Sequence, residues 1–149
     1  PLKQGIAVTG SVDQHGNIQP IGGVNEKIEG FFEYCRLRGF TGDQGVIIPR
    51  QNVKNLMLSH EVIDAVMSGE FKIWAVSTIE EGISILTGEV PGEMDEKGEF
   101  TPRSIYSKVH SKLKDWYEKA LKQKKHPGPG KKGKLEDRES TEVEDEAGK

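Results

Sequence analysis

Along residues 1–90 the apolar positions switch between two spacings. Residues 5–12, GIAVTGSV, carry β-branched side chains in partial alternation, and after DQHGN the run IQPI reads the same way. Asp13, Gly16 and Asn17 form turns for separate reasons: Gly tolerates positive φ, while Asp and Asn side chains bond their own backbone. The spacing therefore predicts a hairpin with a loop of about four or five residues. From Val24 the period becomes helical. Val24, Ile28, Phe31, Phe32 and Cys35 fall on one face at i, i+4, i+7, i+8 and i+11, which predicts a helix from Val24 to Arg38 stopped by Gly39. GVIIP (45–49) reads as a short buried strand closed by Pro49. Residues 51–58 and 60–68 read as two short helices broken near Ser59–His60. KIWAVS (72–77) is a further strand, and TIEEGISILTG (78–88) a helix capped by Thr78 with Glu81 at capping-box spacing. Strands alternating with helices after an opening hairpin predict an α/β fold, a mixed sheet with packed helices.

After residue 90 the pattern changes. Residues 91–100 are rich in Pro, Gly and acid and read as a linker. Residues 101–124 read as an amphipathic helix opened by Thr101–Pro102, with a stripe of Ile105, Val109, Leu113, Trp116 and Ala120. In residues 125–149 a basic block, a Pro-Gly break and an acidic block bury too little to fold, which predicts a disordered charged tail. Nothing repeats at a fixed period.

Composition narrows the classes. The 149 residues suffice for one domain with a core, and a net charge of −3 gives no global case for nucleic-acid binding. The basic block Lys119 to Lys134 is followed closely by acid, so a solvated tail is the expectation there. The single cysteine, Cys35, lies on the core stripe and excludes an internal disulfide framework or a multi-cysteine metal site. His15, His60, His110 and His126 are scattered without ligand spacing, so no metal is expected. No apolar run approaches the roughly 18 residues of a membrane span, and PLKQGIAVTG lacks a signal-peptide layout. These features predict a soluble, cytoplasmic protein with no membrane partner. Because the chain opens almost directly into a strand pattern, it also reads as part of something longer.

One residue stands apart. Lys27 follows Gly22–Gly23, a pair read as a tight strand-to-helix turn, and sits one turn into a helix, where the macrodipole disfavours a cation. It lies at the border of the apolar face, about 40° from Phe31 and about 60° from Val24 at 100° per residue. Making a lysine amine neutral near pH 7 requires roughly 4 kcal/mol. A helix terminus supplies only about 0.3 to 1 kcal/mol. Burial has to supply most of it, so Lys27 can act as a base only where substrate or a neighbouring subunit closes over it. The competing reading is a border lysine whose stem lies on Phe31 and whose head stays in water.

The wider wording changes the balance. Thr9–Gly10, the turn at Gly16, Pro20-Ile21-Gly22-Gly23, Lys27, Gly39, Ile47-Ile48-Pro49 and Asn52 resemble, in order and spacing, the proteolytic domain of Lon proteases, ATP-dependent serine peptidases with a serine–lysine dyad. The wording VNEK is closer to the Lon-B-like and other Lon-like branches. The resemblance covers residues 1–90 and implies a Lon-proteolytic-domain-like fold truncated on its N-terminal side. It implies that Lys27 is the general base that deprotonates the serine, and that Thr9 bonds the lysine amine and aims it. One lysine then does both base and acid work.

The nucleophile itself is not found. In the family it lies upstream of the Thr-Gly strand, and none of Ser11, Ser59, Ser68, Ser77, Ser84, Ser104, Ser107, Ser111 and Ser140 sits among small residues in that pattern. The phosphate-binding pattern G-x-x-x-x-G-K-[ST] is also missing from the 149 residues. The expectation is the lysine-bearing part of an endopeptidase that degrades unfolded or regulatory proteins, inactive alone. No cofactor is expected here, ATP and Mg²⁺ belonging to an ATPase module elsewhere. The implied partners are protein substrates and a homo-oligomeric ring, a hexamer by the resemblance. The alternative is a non-catalytic scaffold or interaction module on the same fold.

Overall fold

A computed structural model describes residues 1–125. The expectation of a disordered tail at 125–149 falls, past its first residue, outside the described residues. Two compact units divide the chain, Pro1–Lys112 and a second that begins at Leu113.

Three parallel strands form the centre of the first unit. β1 (Ile6–Val8) pairs with β4 (Gly45–Pro49), which pairs with β5 (Lys72–Val76), in the order β1-β4-β5. A separate antiparallel pair joins β2 (Ser11–Val12) to β3 (Ile18–Gln19). The α/β class and packed helices are as expected, with parallel and antiparallel pairing held in two sheets. β4 is the middle strand, and all five of its residues are buried, as a parallel strand covered on both faces requires. Its alternation divides the core. Val46 and Ile48 face α1 (Val24–Arg38) and α2 (His60–Ser68), packing with Val24, Ile28, Phe32, Cys35, Val62, Ala65 and Phe71. Ile47 faces the other way, where Ile18, Val76, Trp74 and, from α3 (Ile79–Thr87), Ile85 and Leu86 pack. Gly45 is required where β4 opens: a Cβ there would lie 2.1 Å from the Lys72 carbonyl oxygen and 2.7 Å from the Trp74 ring.

Several expectations are corrected. The opening run 5–12 is two strands, because Thr9 donates to the Ile47 carbonyl (3.0 Å) and the next rung would need an N–H that Pro49 lacks. The β2–β3 turn does match, with Asp13 Oδ1 accepting from the His15 and Asn17 amides at 2.8 and 2.9 Å. The first of the two short helices is a 3-10 helix, Arg50–Asn55. Thr78 caps α3 by accepting from the Glu81 amide, but the Glu81 carboxylate reaches back to the Ser77 amide (2.7 Å), one residue earlier than a capping box places it. α4 (Ile105–Lys125) starts four residues later than Thr101–Pro102 predicted. Arg103 has φ 65°, which breaks the helix, and the Thr101 hydroxyl is engaged with Glu93 across the loop. Buried Ser104 caps α4 instead, its hydroxyl accepting from the Ser107 amide at 3.1 Å. Residues 91–100 make a closed loop, with a bridge between Met94 and Phe100 and Asp95 Oδ1 accepting from the Lys97 and Glu99 amides.

Candidate active site

The candidate Thr9 lies where the parallel strands end. In open α/β sheets the crevice outside the carboxyl ends of the strands is the usual place for a ligand. Thr9 follows β1 there, Arg50 follows β4 and Ser77 follows β5. Arg50 closes that end of β5, its guanidinium donating to the Ser77 hydroxyl (3.0 Å) and the Ala75 carbonyl (2.9 Å). Thr9 is half-buried and borders an apolar groove of about 110 Å³ lined by Val8, Val12, Ile79, Ile83 and Leu86.

Lys27 lies where the spacing put it, one turn into α1, its amide donating to the Gly23 carbonyl at 3.2 Å as the first bond of the helix. Its side chain is exposed. An amine that works uncharged requires burial, and the described residues do not provide it. The reason is the helical wheel. Val24, Ile28, Phe32 and Cys35 form the buried face, whereas Gly23 and Gly30 flank Lys27 on its other side. A Cβ on Gly30 would meet nothing within 4 Å, so nothing overhangs the lysine there. Among the described residues Lys27 Nζ has no hydrogen-bonding or ion-pairing partner, and no bond joins it to Thr9. The expected threonine–lysine bond is therefore not made in this chain.

What sets the position of Lys27 lies on neighbouring segments, and the sequence reading missed most of it. Gly23 is in the left-handed region (φ 67°) and offers no side-chain cap to α1. The start of α1 is held from outside instead. Asn52, buried, donates Nδ2–H to the Ile21 carbonyl (2.8 Å) and accepts from the Ile21 amide (3.0 Å). Asn25 donates to the Asn55 carbonyl (3.3 Å) and accepts from the Met57 amide (3.0 Å). Glu29 accepts from the Ser59 amide (3.0 Å) at the start of α2, where a carboxylate suits the helix dipole. Asn52 appeared in the sequence only as part of a resemblance; its burial and its partner were invisible.

Among the described residues no helix is long and apolar enough to cross a membrane. Burial pushes the Cys35 thiol up, which keeps it a protonated core group.

Comparison with known proteins covers the same stretch of chain. The sequence profile of the Lon protease C-terminal proteolytic domain matches residues 1–89. A putative Lon protease homolog of Escherichia coli is 55% identical over 86 residues, which are 58% of this chain and 15% of that protein. A putative Lon protease homolog of Haemophilus influenzae is 47% identical over 104 residues, 70% of this chain and 17% of that protein. An archaeal Lon protease of Thermococcus kodakarensis is 34% identical over 96 residues, 64% of this chain and 13% of that protein. The chain thus spans only a small part of the length of these relatives. With the profile covering the whole sheet, α1 and its lysine, the chain belongs to the Lon protease family, in the C-terminal proteolytic domain.

Proposed function

We propose that this chain is the lysine-bearing part of the proteolytic domain of an ATP-dependent serine endopeptidase that degrades unfolded or regulatory proteins in the cytoplasm. Lys27 is its general base. The observation that supports the reading is the match of residues 1–89 to the Lon proteolytic domain, with Lys27 one turn into a helix held by Asn52, Asn25 and Glu29.

The chemistry follows. With the upstream serine in place, the neutral Lys27 amine takes the hydroxyl proton as Oγ attacks the scissile carbonyl carbon. The resulting ammonium returns the proton to the leaving amine as the C–N bond breaks. Water, deprotonated by the same amine, then releases the acyl group. Thr9, at the end of β1, aims the amine once the site is closed. Closure comes from substrate or a neighbouring subunit of a homo-oligomeric ring, which supplies the desolvation that the isolated chain lacks. ATP and Mg²⁺ act in an ATPase module outside residues 1–149.

The test uses the longer protease that contains this segment. Lys27→Ala should abolish peptide hydrolysis while the thermal midpoint changes little, since among the described residues the side chain is exposed and has no bonding partner. Undiminished turnover would overturn the reading.

A further inference from the structure

Asn52 is 4% exposed, and both ends of its carboxamide meet one residue, Ile21. These two bonds copy what a paired strand residue gives its opposite number, an N–H and a C=O exchanged with one partner. Among the described residues no strand occupies that place beside Ile21, so a side chain does the pairing. Ile21 directly precedes Gly22 and Gly23, both exposed. A Cβ on Gly22 would meet nothing within 4 Å. The turn into α1 is therefore soft in itself, with two glycines, a left-handed residue and no cap.

We infer that Asn52 is a positioning residue for the Lys27 amine. By fixing Ile21 it fixes where α1 begins and how its first turn is rotated, and hence where the Lys27 side chain leaves the helix. Asn25 and Glu29 complete the mount from the other side of the turn. Each lies about 160° around the helix from Lys27 at 100° per residue, so the clamped face and the lysine stand back to back. The bonds to the Asn55 carbonyl, the Met57 amide and the Ser59 amide then leave the lysine face clear. Asn52 holds the residue that directly precedes the Gly22–Gly23 turn, from which the helix bearing the proposed base starts.

The inference rests on Lys27 being the base, and the experiment separates the two. In the longer protease, Asn52→Leu keeps the approximate side-chain volume and removes both bonds. The expected result is kcat lowered about 10- to 100-fold with KM little changed, because misplacing a catalytic group by about 1 Å costs on that order. The acid limb of the kcat–pH profile should also move to higher pH, as a mispositioned amine is less well desolvated and aimed. Loss of folding alone would not move that limb. If Asn52→Leu does not fold, the double variant Asn25→Ala/Glu29→Ala removes the more exposed clamps and should displace the limb in the same direction by a smaller amount. Exchange of the Ile21 amide, read by NMR in the 149-residue chain, reports whether the clamp has opened. A faster Ile21 amide with kcat and pH profile unchanged overturns the inference and leaves the peptidase reading standing. Full activity in Lys27→Ala overturns the reading itself.

Discussion

α1 and α4 carry apolar stripes at similar helical spacing, yet the protein treats them in opposite ways. On α1 the stripe Val24, Ile28, Phe32 and Cys35 is buried against β4, α2 and Phe71. On α4 Val109, Leu113 and Trp116 are about half exposed, at 48%, 55% and 56%. Their starts differ in the reverse sense. α4 carries its own cap in Ser104, while α1 has none and is held by Asn52 from the 3-10 segment and by its own Asn25 and Glu29, which bond backbone at Asn55, Met57 and Ser59. An apolar stripe therefore says that a helix can be covered on one side. It does not say whether this chain supplies the cover. A helix whose core face is fixed by packing and whose start is fixed by polar clamps can hold an exposed residue still, and α1 uses that property for Lys27.

The largest effect should come from the covered stripe. Ile28 is fully buried among aromatic and aliphatic neighbours, and Phe32 beside it meets Phe71 edge-on with centroids 5.4 Å apart. Ile28→Ala should cost about 2 to 5 kcal/mol, the range for truncating a large aliphatic core residue that leaves a cavity. Chemical denaturation of the 149-residue chain measures it. A cost below about 1 kcal/mol would mean that α1 is held by its clamps and not by its core face.

How much of this could be read from the sequence follows from the same division. The helix at about Val24 to Arg38 is legible because its stripe and the bounding glycines are local signals, and β4 because a run of five buried residues needs no partner to be recognised. Lys27 could be placed by counting. Its mount could not, since Asn52 and Ile21 are 31 positions apart and a side chain bonding distant backbone leaves no period behind. The same holds for Lys27 exposure, which depended on the glycines beside it and not on the apolar residues one turn away. The late start of α4 turned on Arg103 adopting φ 65°, a conformation that nothing local announces for an arginine. The Ser104 cap was visible in principle, but Thr101–Pro102 offered a stronger-looking pattern that the loop had already engaged.

Ser104 provides the next effect in size. Its hydroxyl caps α4 in a buried position, and Gly92 is held close over it: a Cβ on Gly92 would fall 2.2 Å from Ser104 Oγ. Ser104→Ala should lower stability by about 1 kcal/mol, the usual cost of a lost cap. Gly92→Ala should cost more than the cap alone, because φ 99° and the contact both oppose a side chain. Equal stability of Ser104→Ala and the wild type would show that the turn before α4, and not its cap, sets where the helix starts. Leu113→Ala on the exposed stripe should fall within about 0.5 kcal/mol of the wild type in the isolated chain. A cost near that of Ile28→Ala would erase the contrast between the two helices.

The smallest effect is a pH dependence at the start of α4, where the Tyr106 hydroxyl donates to Glu80 Oε1 at 2.9 Å. Partial burial pushes the Glu80 carboxyl up, but bonds from its own amide, Tyr106 and Thr78 outweigh this and leave it below its usual value. Burial, with the bond to Glu80, pushes the Tyr106 phenol up. The signs are opposite. A depressed carboxyl contributes stability above the unfolded-state value and loses it as pH falls through the folded one. A raised phenol contributes below the unfolded-state value and loses it as pH rises through the folded one. The contact is therefore intact between the two, across the neutral range, and weakens at both extremes. Thermal midpoints of the wild type and Tyr106→Phe across pH should differ most near neutrality, the gap closing first on the acid side as Glu80 protonates. A gap that stays constant down through the carboxylate range would mean that Tyr106 holds α4 by ring packing on Phe100, 5.8 Å away between centroids, and that its hydroxyl adds nothing.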